Sequence, residues 1–365
     1  MRLEQAPRGW GSHCDNAAPR LSIVVPVHDG AATLPACLKA LIEAPGPSRE
    51  IIVSDDGSLD QSATIAASTG VVTLRSSAKR GAGAARNAGA AEARADILVF
   101  VDADVVIHPD ALMRIACFFD ENPNYAALFG SYDSEPTAPN FVSQYRNLLH
   151  HFTHQNGRFE AETFWTGLGA IRRSVFEQGN GFRNDPCCIE DVELGLSLRA
   201  DGFRIALDPS IRGTHLKSWT LLGMAKTDLC RRAIPWSALL LERGRLTTDL
   251  NTNANGRMGV ASVLLTTACL LMLPVWSGFA LVGLAAIVSA LVSMRPLLGH
   301  LRRERGVLFA ARSIPVHFVH LFCAGSGFLI ALLNHVARGF PSAEGPRLPR
   351  PVEAEDGGDR VGGDR

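Results

Sequence analysis

Short apolar, β-branched runs alternate, over the first hundred residues, with segments whose apolar positions repeat at helical spacing. The runs predict strands at 21–27, 50–53, 71–74 and 97–101. The segments between them predict helices at 34–42, 60–68 and 82–95, the first with Thr33 as its N-cap. Strands that alternate with helices indicate an α/β fold, a mainly parallel sheet with helices on both faces.

The pattern changes after residue 257. Residues 259–294 contain no Asp, Glu, Lys, Arg or His. A single helix of this length would extend about 54 Å, whereas the hydrocarbon core of a bilayer is about 30 Å thick. Because Pro274 lies near the middle, we expect a hairpin of two spans, 258–274 and 277–294. A third span is expected at 313–335, although it carries His317 and His320. A buried hairpin of a soluble protein is the alternative, which the length of the first run disfavours.

Arginines are concentrated in the predicted loop between the second and third spans. They are Arg295, Arg302, Arg303, Arg305 and Arg312. The positive-inside rule places such a loop in the cytoplasm. Two preceding spans would place residues 1–257 there as well, whereas one span would place them outside. We therefore expect a multi-pass protein of the cell inner membrane with its soluble domain in the cytoplasm.

The expected organisation has five parts. They are an extension at 1–20, a soluble domain at 21–240, a linker at 241–257, a membrane region at 258–337 and a tail at 338–365. The tail is rich in Pro, Gly and charged residues, which is typical of disorder. No apolar core of a signal peptide is expected in the first residues.

Composition narrows the functional classes. Thirty-six Lys and Arg balance 36 Asp and Glu, so the sequence lacks the basic excess of a nucleic-acid binder. The 47% hydrophobic content excludes a wholly disordered chain. The eight cysteines, including Cys187 and Cys188, form no CxxC pair. We expect them to be reduced thiols in the cytosol.

Acidic residues follow two of the predicted strands, at the sheet edge where α/β proteins bind ligands. Asp102 and Asp104 form a DxD motif, and two carboxylates so close together favour Mg²⁺ or Mn²⁺ bridged to substrate phosphates. Asp55 and Asp56 could accept hydrogen bonds from a base or a ribose. The alternatives are a solvated turn for the first pair and an Asx-type turn for the second.

Two further segments carry charged candidates. Arg86 lies in a Gly- and Ala-rich stretch that is not a Walker A loop. It either clamps a diphosphate or lies on the surface of a helix. Glu190 and Asp191 precede a predicted helix, where one of them acts as a general base or both only favour the helix dipole.

Five segments occur in order: SIVVPVHDG, EIIVSDDGSLD, GAARNAGAAEARADILVFVDAD, GLGAIRRSVFEQGNGF and IEDVELGLSLRADGFRI. Together they resemble the family 2 glycosyltransferases of the GT-A fold, over about residues 20–235. The resemblance implies a Rossmann-like GT-A domain that transfers a sugar, with inversion and with Mn²⁺ or Mg²⁺, from a nucleotide sugar. A UDP-sugar is favoured and a GDP-sugar is the rival. The acceptor would be a hydroxyl of a lipid or an envelope saccharide at the cytoplasmic membrane face, as in polysaccharide biosynthesis.

The resemblance also implies roles for individual residues. Asp191 would be the general base, and Glu190 would orient it. Asp104 would be the more direct metal ligand, Asp102 would face the ribose or the metal, and His215 could approach the metal. Asp56 would recognise the nucleobase, Arg86 would lie near the diphosphate, and residues 166–168 would line the acceptor and sugar pocket. The donor-binding set would be Pro26, Val27, His28, Asp55, Asp56, Arg86, Asp102, Thr166, Gly167, Arg231 and Arg232.

Other features qualify this picture. The QxxRW signature of processive synthases is absent near Arg231 and Arg232, which disfavours synthesis of a long polymer. His150, His151 and His154 could hold zinc, but a mobile segment on the acceptor side is the preferred interpretation.

Two other functions compete with glycosyl transfer. A nucleotidyltransferase would need a basic Gly-rich loop near the first strand, and residues 28–30 offer little of it. A non-catalytic membrane scaffold with a degenerate domain is disfavoured because every acid named above is retained.

Overall fold

One mixed sheet organises the soluble part of the chain. The computed structural model describes residues 19–183, 189–244, 250 and 253–338. The strands are β1 Leu21–Val27, β2 Arg49–Asp55, β3 Val72–Arg75, β4 Ile97–Val101, β5 Val105–Ile107, β6 Tyr125–Tyr132, β7 Leu168–Arg172 and β8 Arg204–His215. The helices around them are α1 Leu34–Glu43, α2 Ser62–Ser68, α3 Ala82–Ala91, α4 Ala111–Glu121, α5 Phe141–Gln155, α6 Arg173–Gln178 and α7 Glu190–Ala200.

The sheet has the strand order β3-β2-β1-β4-β7-β6-β8-β5. Strands β1 to β4 pair in parallel, as the alternation of strands and helices predicts. Beyond β4 the sheet is mixed, because β7 is antiparallel to both β4 and β6, while β8 is parallel to β6 and antiparallel to β5. The α/β fold is therefore confirmed, with its parallel part confined mainly to one half.

The centre of the sheet is buried on both faces, which explains the uniformly apolar strands. All five residues of β4 are buried, and β1 is buried except for the half-exposed Pro26. Helix α3 packs closely on β1 at Gly89, where a Cβ would lie 2.4 Å from Val24 Cγ1. Helix α3 ends at Ala91, earlier than predicted, and Thr33 makes no side-chain cap on α1.

Within the residues that the structure describes, three C-terminal helices are long and apolar enough to cross a membrane. They are α10 Ala254–Met272, α11 Phe279–Arg305 and α12 Val307–Ala337. The break between α10 and α11 falls around Pro274, where the hairpin turn was expected. The expected arginine-rich loop, however, is wrong, because α11 stays helical to Arg305 and the chain reverses at Gly306, which has a φ of 85°. Arginine is a good helix former, so the arginines expected in a loop continue α11 instead. The chain reverses at Gly306 because glycine adopts a positive φ without steric cost.

Short helices join the soluble part to these long helices. They are α8 Leu221–Lys226, a π-helical turn Thr227–Ala233 and α9 Ile234–Glu242. Helix α12 approaches the π-helical turn so closely that a Cβ on Gly327 would lie 2.4 Å from the Cβ of Ala233. A hydrogen bond of 2.7 Å joins the Tyr145 hydroxyl of α5 to His317 Nδ1 of α12. The sheet and the apolar helices are thus packed against one another through α5, α9 and the π-helical turn.

Several expectations concern residues outside the described ranges. They are the extension before residue 19, most of the linker segment 245–252, Cys187 and Cys188, and the tail after residue 338.

Candidate active site

A cavity of about 1640 Å³ begins at the carboxyl end of β4 and continues to helices α10 and α12. Its inner wall carries most of the acids that the sequence singled out: Asp102, Asp104, Glu190 and Asp191. The strand pairings explain this convergence. Strand β7 runs antiparallel to β4, so the segment before Leu168 lies beside the end of β4, and the backbone N–H of Asp102 donates to the carbonyl of Gly167 at 3.3 Å.

Arg86 lies at the centre of the acidic wall. Its Nη1 donates to Glu190 Oε1 at 2.6 Å, and its Nη2 donates to Asp102 Oδ1 at 2.7 Å. The side chain is buried, so the alternative prediction that Arg86 lies on the surface of a helix is wrong. Burial alone would lower the pKa of Arg86, but the carboxylates of Asp102 and Glu190 raise it, and the guanidinium keeps its charge. Arg86 therefore ties the end of β4 to the start of α7.

Asp191 lies in the first turn of α7 and is half-buried at the cavity wall. Its Oδ1 accepts a hydrogen bond of 2.8 Å from the Val192 N–H, and its Oδ2 lies 3.4 Å from the Thr166 nitrogen and 3.5 Å from Thr166 Oγ1. Burial and the neighbouring Glu190 charge raise the pKa of Asp191 to about 6, although Arg86 opposes them. A carboxylate with this pKa can accept a proton near neutral pH, as a general base must.

Asp104, two residues after Asp102, faces His215. Strand β5 pairs Val105 with His215, which brings the imidazole Nε2 to 3.5 Å from Asp104 Oδ2. The His215 ring stacks on Tyr132, with ring centroids 4.3 Å apart. Burial would raise the pKa of Asp104, but His215 and then Lys217 outweigh it, so the pKa is lowered and the carboxylate stays ionised.

Asp102 and Asp104 supply two carboxylates, which is the protein part of a metal site whose other ligands would be water and substrate phosphate oxygens. The side chains of Asp102 and Asp104 are 33% and 26% exposed, and both line the cavity. Among the described residues, no group of three or more His, Cys, Asp or Glu side chains is arranged to hold a metal. Two carboxylates with water and phosphate oxygens suit Mg²⁺ or Mn²⁺, which keeps several non-protein ligands. These residues therefore fit a divalent metal held together with a phosphorylated substrate.

The residues predicted to recognise the nucleobase lie behind residues 79–81, a segment that we call the strap. Both carboxylate oxygens of Asp56 accept hydrogen bonds from backbone N–H groups, of Arg80 at 2.7 Å and of Gly81 at 2.8 Å. Residues 79–81 line the cavity, whereas Pro26, Val27, His28, Asp55 and Asp56 do not. Asp55 Oδ1 accepts from the Ser58 N–H at 3.1 Å, which is the Asx-type turn. A donor-binding role for these five residues stays a prediction.

Of the predicted acceptor-pocket segment, Thr166 lines the cavity beside Asp191. Gly167 lies outside the cavity lining and contributes its carbonyl to Asp102. Its contact with substrate also stays a prediction.

The three clustered histidines lie on the packed helix α5, so the mobile-segment interpretation is wrong. His151 Nδ1 hydrogen bonds to the carbonyl of Tyr132 at 2.7 Å, and His154 Nδ1 to that of Gly130 at 2.9 Å. The His150 ring packs 4.9 Å from that of Trp165. Burial lowers the pKa of His150, and it lowers that of His154 to about 4. His150 and His154, whose pKa values burial lowers, line the cavity as neutral side chains.

A second charged group, which sequence reasoning missed, lies where the cavity meets the long helices. Arg146 Nη2 pairs with Asp228 Oδ1 at 2.6 Å, and His320 Nδ1 lies 2.8 Å from Asp228 Oδ2. Asp228 belongs to the π-helical turn, a geometry frequent at functional sites. The available signal was His320, an ionisable residue inside an otherwise apolar predicted span.

Arg231 and Arg232 lie on the same π-helical turn and line the cavity. Arg232 is exposed to the cavity but surrounded by protein. Burial, then the like charge of Arg146, lowers its pKa to about 10, against the opposing effect of Asp228. The two arginines of the predicted donor-binding set therefore line the cavity, on the side where the π-helical turn packs against α12.

Comparison with known proteins identifies similar sequences. Residues 22–179 match the family model described as glycosyl transferase family 2. An uncharacterized glycosyltransferase of Haemophilus influenzae is 28% identical over 141 residues, which cover 35% of this chain and 48% of the relative. An undecaprenyl-phosphate 4-deoxy-4-formamido-L-arabinose transferase of Salmonella gallinarum is 30% identical over 117 residues, 29% of this chain and 36% of the relative. The matches thus span half or less of either relative's length.

A solved structure has a similar fold. It is the mannosyltransferase PcManGT from Pyrobaculum calidifontis in complex with GDP-Man and Mn²⁺, with a TM-score of 0.52, 17% identity and 88% coverage of each chain. At this identity the likeness concerns the fold, and it extends over the apolar helices as well as the sheet.

Proposed function

We propose that this chain, whose residues 22–179 match the glycosyl transferase family 2 model, transfers a sugar from a nucleotide sugar to a hydroxyl of a membrane-associated acceptor, with inversion. One observation carries the proposal. The carboxylates of the DxD motif line the same cavity as Asp191, whose pKa is raised, and this cavity reaches the helices α10 and α12. A donor that binds at one end and an acceptor that enters from the other would meet at Asp191.

The residues divide the chemistry between them. Asp102 and Asp104 would hold the donor diphosphate end through a divalent metal, which neutralises charge on the departing nucleoside diphosphate. Asp191 Oδ2 would take the proton of the acceptor hydroxyl as its oxygen attacks the anomeric carbon opposite the leaving group. Arg86 holds Glu190 and Asp102 in place on either side of this reaction. Direct displacement of this kind inverts the anomeric configuration.

The contacts of α11 support a cytoplasmic soluble domain. Arg305, near the end of α11, donates from Nη2 to the carbonyl of Ser134 at 2.7 Å and from Nε to Gln144 Oε1 at 3.2 Å. The arginine-rich end of α11 is therefore on the same side as the sheet. Since such segments stay on the cytoplasmic side, we infer a protein of the inner membrane with the cavity mouth facing the cytoplasm.

The test is a donor panel on the full chain in lipid nanodiscs. UDP- and GDP-sugars are incubated with Mn²⁺ or Mg²⁺, with and without a total lipid extract, and the released nucleotide is identified by mass spectrometry. We expect metal-dependent release of a nucleoside diphosphate from one donor class. Release of pyrophosphate from a nucleoside triphosphate would instead support a nucleotidyltransferase. Absence of turnover for every donor, with or without lipid, would support a non-catalytic scaffold.

A further inference from the structure

The cavity continues far into the apolar helices. On α10 it is lined by Val260, Ala261 and Leu264, and on α12 by His317, Phe328 and Leu329, with further residues between them. From His317 to Leu329 the axis of α12 advances about 18 Å. The groove therefore runs along α12 for more than half of the thickness of a bilayer's hydrocarbon core, which is about 30 Å. A soluble sugar acceptor has no use for an apolar extension of this length, whereas a hydrocarbon chain does.

The groove begins at a cationic entrance. Asp228 lies on the same π-helical turn as Arg231 and Arg232, but Arg146 and His320 already occupy both of its oxygens. Within the described ranges, neither Arg231 nor Arg232 has a carboxylate at ion-pair distance. The entrance therefore carries uncompensated positive charge, exposed to the cavity and next to the groove.

Resting on the proposed function, we propose that the acceptor is an anionic membrane lipid that carries a hydroxyl. Its hydrocarbon chain lies in the groove between α10 and α12, its anionic group pairs with Arg232, and its hydroxyl reaches Asp191. A guanidinium in a sheltered cavity favours a phosphate group, which can accept two parallel hydrogen bonds from it. The residues of all three contacts line the one cavity.

The reaction balances with this acceptor. The hydroxyl oxygen of the lipid forms a bond to the anomeric carbon, and the bond from that carbon to the diphosphate oxygen breaks. The proton moves to Asp191, and the electron pair leaves with the nucleoside diphosphate. A lipid that attacked through its own phosphate oxygen would have no proton to give, so a base beside the cavity favours a hydroxyl as the nucleophile.

Photolabelling of the groove tests the first part of the proposal without requiring turnover. The probe is phosphatidylglycerol with a diazirine in its acyl chain, in nanodiscs with the full chain, and labelled peptides are mapped by mass spectrometry. We expect labels on groove residues such as Leu264 and Phe328, beyond the background on outward-facing Leu265 and Leu270. Labels confined to the outward faces would overturn the groove assignment.

A pair of matched variants decides whether the labels report occupancy of the groove. Ala261 and Ala268 are both exposed on α10 and are separated by two helical turns, but only Ala261 lines the cavity. A261W should fill the groove and reduce its labelling about tenfold, whereas A268W should leave it unchanged. Equal labelling in both variants would contradict the proposal, and circular dichroism shows whether each variant stays folded.

The head-group contact is tested with a second lipid. Diazirine-labelled diacylglycerol has the same chains and a hydroxyl but no phosphate. R232Q should weaken groove labelling by phosphatidylglycerol about tenfold and leave labelling by diacylglycerol unchanged, while the exposed R303Q should alter neither. Weaker donor binding with unchanged lipid labelling in R232Q would assign Arg232 to the donor diphosphate and overturn this part.

These outcomes separate the inference from the proposed function. Groove labelling without turnover of any nucleotide sugar would contradict the glycosyltransferase and leave a lipid site. Turnover that is equal for a lipid acceptor and for glycerol 1-phosphate would support the glycosyltransferase and contradict the lipid groove.

Discussion

Two buried arginine and carboxylate groups at opposite ends of the cavity differ in which charge is in excess. At the end of the cavity where we propose that the donor binds, called the donor end below, Arg86 is shared by Asp102 and Glu190, and Asp191 stands beside them. At the membrane end, Asp228 is shared by Arg146 and His320, and Arg232 stands nearby. The first group is short of cations and the second is short of anions.

The difference has consequences for proton affinity. The acid excess, together with burial, raises the pKa of Asp191 to about 6. At the other end burial would raise the pKa of Asp228, but Arg146 and His320 lower it to about 2. The same residue types thus produce a carboxylate that can take up a proton near pH 6 at one end and a carboxylate that stays ionised at neutral pH at the other, because each end has a different ratio of acids to cations.

The strongest test of the donor end is D191N. It removes the proton acceptor but keeps the shape and most hydrogen bonds, so turnover should fall about 10²- to 10⁴-fold with donor affinity nearly unchanged. Initial rates and donor titration by calorimetry measure the two quantities. D201N, at the opposite end of α7, is the control and should retain normal turnover. Undiminished turnover in D191N would remove Asp191 from the mechanism.

R86L tests whether the donor-end group depends on its single cation. Two carboxylates would be left without their shared partner, and the free energy of unfolding should fall by about 3–5 kcal/mol. Denaturant unfolding of the full chain in detergent measures it. The control is R114L, because Arg114 and Asp110 are 47% and 53% exposed in their ion pair and the loss of such a surface pair should cost less than about 1 kcal/mol. Equal losses in the two variants would contradict a special role for Arg86.

D228N tests the membrane end through its pH dependence. The folded pKa of Asp228 is about 2, below the unfolded value of about 3.9. Its contribution to stability is therefore complete above about pH 4 and is lost as the pH falls towards 2. D228N should lower the melting temperature strongly at pH 7 and much less at pH 3, whereas the exposed D110N should change it little at either. A loss independent of pH would show that Asp228 acts through packing rather than charge.

The smallest expected effect is a shift of the acid limb of the activity profile. The limb should have an apparent pKa of about 6, that of Asp191, with activity rising as the pH increases through it. E190Q removes a neighbouring negative charge, so the limb should move to lower pH by roughly one unit or less. The control E193Q, on the same helix, should move it less. A shift to higher pH would contradict the charge coupling between Glu190 and Asp191.

The local features of this chain could be predicted from its sequence. Strands β1 and β4 have the predicted bounds, because an uninterrupted apolar run that ends at a turn is readable from neighbouring residues alone. The same reasoning located the acids at the ends of β2 and β4. This reasoning failed for residues 295–305, which continue α11 instead of forming a loop. An arginine-rich helix and an arginine-rich loop can have the same composition, so composition does not distinguish them.

Contacts between distant segments could not be predicted in this way. Arg86 and Glu190 are separated by 104 positions, and Arg146 and His320 by 174. A single sequence shows that these residues are charged, but it does not show which charge neutralises which. Asp56 was expected to be open to a ligand, and its contacts with the strap at residues 80–81 likewise depend on how loops fold over one another.

The sequence by itself thus determined the alternation of strands and helices, the acids at strand ends and the three apolar helices, because each depends on periodicity or composition within a short window. Only the tertiary structure decided that the pKa of Asp191 is raised, that Arg232 has no carboxylate at ion-pair distance among the described residues, and that one cavity connects both to the helices α10 and α12. Burial and the balance of neighbouring charges set these properties, and both arise only when segments far apart in the chain pack together.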